Sequence, residues 1–146
     1  MRTASRRAHT IAELALTMVL MGLVAAIAVP PMAATSARWR LRAAAGDVVN
    51  AIVHAREAAM TRGAMATVVI DPPAAEVRVT CGTDTLFRRA IGALHGVAMA
   101  SSGDSVRFAP DGLATGVSNL TVLLVLGARV DSVVVSRLGR VRWSGS

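Results

Sequence analysis

The chain has 146 residues and a formal charge of +7, carried by 16 arginines and no lysine against 9 acids. That length holds one small domain beside a membrane-length helix, and Cys81 as the only cysteine excludes an intramolecular disulfide, a thiolate metal cluster and a lipid-anchored N-terminal cysteine. Arg2, Arg6 and Arg7 precede the first apolar run; without them the balance is 13 minus 9, or +4, so the high charge is not by itself evidence of a polyanion-binding surface.

Sixteen uncharged, mostly apolar residues run from Leu14 to Val29, with Glu13 at their threshold. An ionisable group at such a position is costly and points to a functional partner. Ile11 to Val29 is nineteen residues, about 28 Å of helix against a hydrocarbon core of about 30 Å. The arginines before it place the N-terminus in the cytoplasm and export the rest. A cleaved secretory signal is the competing reading, with Ala26-Ile27-Ala28 or Met32-Ala33-Ala34 as small-residue cut sites; the acid at the entrance of the run argues against it.

Ala8-His9-Thr10-Ile11-Ala12-Glu13 resembles the processing site of type IV pilins and type II secretion pseudopilins, with Thr10, Glu13 and Pro30 standing where that family has them. Ala8 replaces the family's glycine before the cut, and His9 replaces the phenylalanine that becomes the N-methylated terminus. The resemblance implies a leader of residues 1–8, removed by a prepilin peptidase, and a transmembrane and assembly helix over 9–30. It also implies that Glu13 pairs with the N-terminal ammonium of a neighbouring subunit. Burying either charge alone would cost several kcal/mol, so such a pair sets register more than strength.

Pro30-Pro31 lack N–H donors and are expected to kink or interrupt the helix. A helical pattern resumes over about Ala37 to Thr61, within an amphipathic continuation at 31–62: Leu41, Ala45, Val48, Ile52, Ala55 and Ala59 form one apolar stripe. Arg40, Arg42, Asp47, Arg56 and Glu57 lie mostly off the stripe and are expected to face solvent or neighbouring subunits. Gly63 is placed to end the helix. Ala55-Arg56-Glu57-Ala58-Ala59 with Arg62-Gly63 resembles the helix end shared by H-type (GspH) minor pseudopilins and FimT-type minor pilins.

From 63 to 146 the pattern changes to short Val-, Thr- and Leu-rich runs separated by glycines and Asp71-Pro72-Pro73. Strands are expected at Ala66 to Ile70, Glu76 to Cys81, Ser105 to Phe108, Leu120 to Leu126, Ser132 to Ser136 and Arg140 to Trp143, mostly antiparallel. Thr83 to Gly103 is expected to be a variable loop. Phe108-Ala109-Pro110-Asp111-Gly112 resembles the family's Phe-x-Pro-x-Gly turn, and residues 133–142 its closing hairpin. The fold class is therefore α+β and pilin-like, a long N-terminal helix packed on a small antiparallel β-sheet domain.

No catalytic chemistry is legible. His9, His54 and His95 lack metal-ligand spacing, no phosphate-cradling or nucleophile motif occurs, and no cofactor is implied. Asp71, Asp84, Asp104 and Asp111 adjoin Pro, Thr, Gly or Ser, as carboxylates that stabilise turns do. Arg137, Arg140 and Arg142 ending in Trp143 form a candidate DNA contact, and Gly139-Arg140-Val141-Arg142 resembles the tail motif of FimT-like minor pilins linked to DNA uptake. The plainer reading is an edge hairpin whose arginines prevent pairing. The resemblance implies a non-enzymatic minor pseudopilin of type II secretion, single-pass in the bacterial inner membrane with its domain in the periplasm. Its partners would be other pseudopilins, the peptidase and the inner-membrane assembly platform. A FimT-like type IV minor pilin is the alternative.

Overall fold

The computed structural model describes residues 10–116 and 119–145, the side chains of 28–34 excepted. They divide into two compact units, one ending at Ser36 and one beginning at Ala37. The first helix, α1 (Ile11–Arg62), is a single element of 52 residues that contributes to both.

In the first unit every described side chain from Ile11 to Ile27 is exposed, including Ile11, Leu14, Met18, Met21 and Ile27. Apolar groups point in all directions, so this stretch has no polar face to turn toward water. Among the described residues no helix is long and apolar enough to cross a membrane. The Ile11–Val29 span expected from the sequence reaches past the last described side chain at Ile27.

The second unit is built around the other part of α1. Leu41, Ala45, Val48, Ile52, Ala55 and Ala59, the whole expected stripe, are buried, and Ala44 and Ala51 join them. Five of these eight residues are alanines, so the helix axis approaches the sheets closely and little side-chain volume intervenes. After Arg62 the chain turns through Gly63, whose φ of +59° is a left-handed conformation that costs a β-carbon about 1–2 kcal/mol.

Two antiparallel sheets follow. The first has the order β3 (Asp84–Ala90), β2 (Glu76–Cys81), β1 (Ala66–Asp71), β5 (Ser105–Phe108), β6 (Ala114–Thr115). The second has the order β4 (Ala98–Ser101), β7 (Leu120–Leu126), β8 (Arg129–Val135), β9 (Val141–Gly145). A five-residue helix, α2 (Ile91–His95), separates β3 from β4. Cross-strand pairs Val68–Val79, Val68–Val106 and Ala66–Phe108 in one sheet, and Val122–Val133 and Leu120–Val135 in the other, turn one face of each sheet into a shared core with the helix stripe. Cys81 is part of that core and acts as a small apolar residue.

Three expectations change. The helix is not interrupted at Pro30-Pro31: α1 continues through them, because losing two donors leaves the bonded turns on either side intact. Thr83 to Gly103 is no loop but β3, α2 and β4. Its strand β3 is largely exposed and rich in arginine, so it lacks the apolar alternation that reveals a half-buried strand. Asp47 does not face solvent: its side chain is only 13% exposed and accepts a bond from His95 Nε2 at 2.8 Å, with Arg89 at 3.4 Å. That cluster ties α1 to α2 and to the end of β3. The expected turn carboxylates behave as such at Asp71, which accepts from the Ala74 N–H at 3.2 Å, and at Asp111, which accepts from the Leu113 N–H at 2.9 Å.

The alanine contact sets a measurable limit. Ala55→Leu has no space to fill and is expected to destabilise the domain by about 1–3 kcal/mol in denaturant titration, whereas Val53→Leu, on the exposed side of the same turn, should leave the midpoint nearly unchanged.

Candidate functional site

The expected assembly residues begin at the start of α1. Thr10 is the residue before the helix, and its Oγ1 accepts a bond from the Glu13 N–H at 3.2 Å, while the Leu14 N–H donates to the Thr10 carbonyl at 3.1 Å. Thr10 is thus the N-cap and Glu13 the third helical residue, the Thr-x-x-Glu spacing of a capping box. That signal lay in the sequence, on residues that resemble a processing site. It gives the pair a local task, holding the first turn, and puts a carboxylate where the helix dipole favours it. Ala8, His9 and the side chain of Pro30 lie outside the described residues.

The C-terminal residues singled out from the sequence are divided by strand alternation. The β8–β9 register pairs Val134 with Arg142 and Val133 with Trp143. Val133 belongs to the buried core face, so Trp143 lies on that side, while Arg142 lies on the outer face with Val134. On the outer face Arg137, Arg140 and Arg142 line one groove of about 600 Å³ with Asn119, Val134, Ser136 and Leu138. No acid lines this groove, and among the described residues none of the three arginines enters an ion pair. The arginines are brought together and Trp143 is turned away from them.

Trp143 has a different partner. Its Nε1–H donates to Asp131 Oδ2 at 3.3 Å, and Asp131 is buried on the core face opposite Leu124. Gly145 pairs with Asp131 across the ladder, and a β-carbon there would sit 3.1 Å from the carboxylate. A cavity of about 200 Å³ lined by Arg38, Leu41, Arg42, Asp131, Trp143 and Gly145 adjoins this contact. Sequence reasoning missed it because the strand was expected to begin at Ser132, three residues too late and just past Asp131. Asp131, Val133 and Val135 in fact alternate onto the inner face.

The hairpin tip is seated on the core. Gly139 has a φ of +74°, and a β-carbon there would lie 3.1 Å from Phe108, the aromatic residue of the Phe-x-Pro-x-Gly turn. The two motifs that the sequence placed far apart are therefore in contact. Among the described residues no group of three or more His, Cys, Asp or Glu side chains is arranged to hold a metal.

A family model for "Type II transport protein GspH" matches residues 44–139, which is 96 of 146 residues. The chain belongs to the GspH family. The match covers the buried helix stripe from Ala44 onward and both sheets up to Gly139, and leaves Glu13, Leu41, Arg140, Arg142 and Trp143 outside. The GspH fold also appears in two kinds of solved structure. The type IV minor pilin FimU of Pseudomonas aeruginosa is 13% identical, with a TM-score of 0.62 over 73% of this chain and 90% of that one. The minor pseudopilin EpsH from the type 2 secretion system of Vibrio cholerae is 12% identical, with a TM-score of 0.58 over 73% of this chain and 97% of that one. No curated protein sequence matches the chain.

Removing the indole donor isolates the buried carboxylate. Trp143→Phe is expected to cost about 1–3 kcal/mol in denaturant unfolding, because Asp131 loses that bond while staying buried. Asp131→Leu in the Trp143→Phe background should recover part of that loss; no recovery would show that the bond contributes little.

Proposed function

We propose that the chain is a minor pseudopilin subunit of a type II secretion system, stored as a single-pass inner-membrane protein with its β-rich domain in the periplasm. The observation that carries this reading is the GspH domain of residues 44–139 on the same chain as a helix that is apolar on every side and headed by a capped glutamate. Water does not suit the surface from Ile11 to Ile27; a bilayer or a bundle of like helices does. Cleavage between Ala8 and His9 would leave the new ammonium four residues ahead of Glu13. Carboxylate and ammonium from adjacent subunits would then neutralise each other inside an apolar bundle. The reading assigns the chain no catalysis; its partners are the prepilin peptidase, the assembly platform and other pseudopilins.

A second reading, a minor subunit of a type IV pilus, is favoured by the likeness to FimU, whose fold this chain shares to the same degree as that of EpsH. Deleting the gene separates the two: loss of exported proteins from the medium with pili intact supports the first, and loss of surface pili with export intact supports the second.

Mass spectrometry of the mature protein is expected to find an N-methylated His9. An intact Met1, or a cut beyond Ala26, would remove both filament readings. In the processed protein, Glu13→Ala is expected to abolish incorporation into filaments, scored by crosslinking to neighbouring subunits, with the membrane-stored pool unchanged.

A further inference from the structure

The four sheet edges are unequal. The pairing of β3 with β2 shifts register between Val79 and Thr80, leaving Leu86 of β3 as the extra residue, and such a bulge twists an edge away from further pairing. Strand β6 has two residues and β4 has four. Strand β9 is regular over its five residues, and from Arg142 to Gly145 it is exposed.

Its free side can be assigned. The Ser136 N–H donates to the Arg140 carbonyl at 2.8 Å, which makes these two a hydrogen-bonded pair. Antiparallel pairs alternate, so Arg142 and Ser144 direct their backbone groups at β8, while Val141, Trp143 and Gly145 direct theirs outward. Among the described residues these outward groups have no backbone partner. Beside this edge, on the outer face, lies the groove of Arg137, Arg140 and Arg142, with Leu138 67% exposed at its rim.

We infer that the edge of β9 is a docking site for an extended acidic segment of another protein, which adds to the second sheet as a fifth strand and sets its carboxylates against Arg137, Arg140 and Arg142. Backbone bonds along β9 would supply affinity, and the arginines would select charge. A second copy of this chain suits the site poorly, because pairing β9 with β9 brings guanidinium groups together. A nucleic acid suits it less well than a peptide. The aromatic group that would stack on a base, Trp143, lies on the opposite face, bonded to Asp131. The surface lies wholly within the second unit, so the inference stands whether or not the filament reading holds.

The test uses the full-length chain in detergent and fluorescence anisotropy with three labelled probes: a short peptide alternating glutamate and valine, the same peptide N-methylated at alternate residues, and a single-stranded oligonucleotide. The acidic peptide is expected to bind and the N-methylated one to lose binding, since it keeps its charge but not its ladder donors. Arg140→Glu with Arg142→Glu should weaken the acidic peptide roughly tenfold or more. Equal binding of the two peptides would overturn the inference by showing that the groove reads charge alone. Absence of peptide binding, or displacement of the peptide by a tighter-binding oligonucleotide, would overturn it as well. Should the double variant fail to fold, the contrast between the two peptides on the unaltered chain decides the matter.

Discussion

The close seating of an alanine stripe on two sheets is the constraint from which the rest of the domain follows. Ala44, Ala45, Ala51, Ala55 and Ala59 have no exposed surface, so the helix lies near the strands and the sheets supply the bulk, from Phe108, Leu120, Leu124 and the valines of β1, β2, β7 and β8. A small side chain contributes little burial itself. Its value is that it lets dispersion contacts from the larger partner reach the helix backbone. Both sheets depend on that approach, since each turns one face to the same core.

Two acids lie within this apolar setting and are accommodated differently. Glu76 is held on β2 by Arg88 at 2.8 Å from β3, with Arg78 at 3.8 Å, so its neutralising partners are themselves half in water. Asp131 meets an indole N–H and a glycine opposite it. The first arrangement ties an edge strand to its neighbour. The second orients Trp143 and thereby keeps that aromatic group on the inner side of β9, away from the arginines.

What was legible in the sequence tracks with periodicity. The stripe from Leu41 to Ala59 and the strands Glu76–Cys81, Ser105–Phe108 and Leu120–Leu126 could be read because each alternates against one core. β3 could not, because both its faces carry polar or charged groups. Asp47 looked like a solvent-facing charge because its partner His95 lies 48 residues away, on a helix too short to announce itself. At the candidate site the arginines were visible as a cluster. Their separation from Trp143 was not, because it depends on which residues of β8 and β9 pair. The Thr10–Glu13 cap was visible in the Thr-x-x-Glu spacing, on the same residues that resemble a prepilin processing site.

The order of strands has a consequence for how the chain acquires its structure. The meander from β7 through β8 to β9 consists of sequential neighbours joined by short turns, at Gly127-Ala128 and at Ser136 to Arg140. The other sheet cannot close until β1 meets β5, bringing Ala66 against Phe108 across an intervening strand pair, a helix and β4. Loop-closure entropy is therefore low within each meander, β1 to β3 as well as β7 to β9, and highest at the pairing of β1 with β5. A polypeptide delivered in an unfolded state from its N-terminal end would meet the easy contacts of β1 to β3 first, and the alanine stripe would wait for the β7–β9 meander to complete its cover.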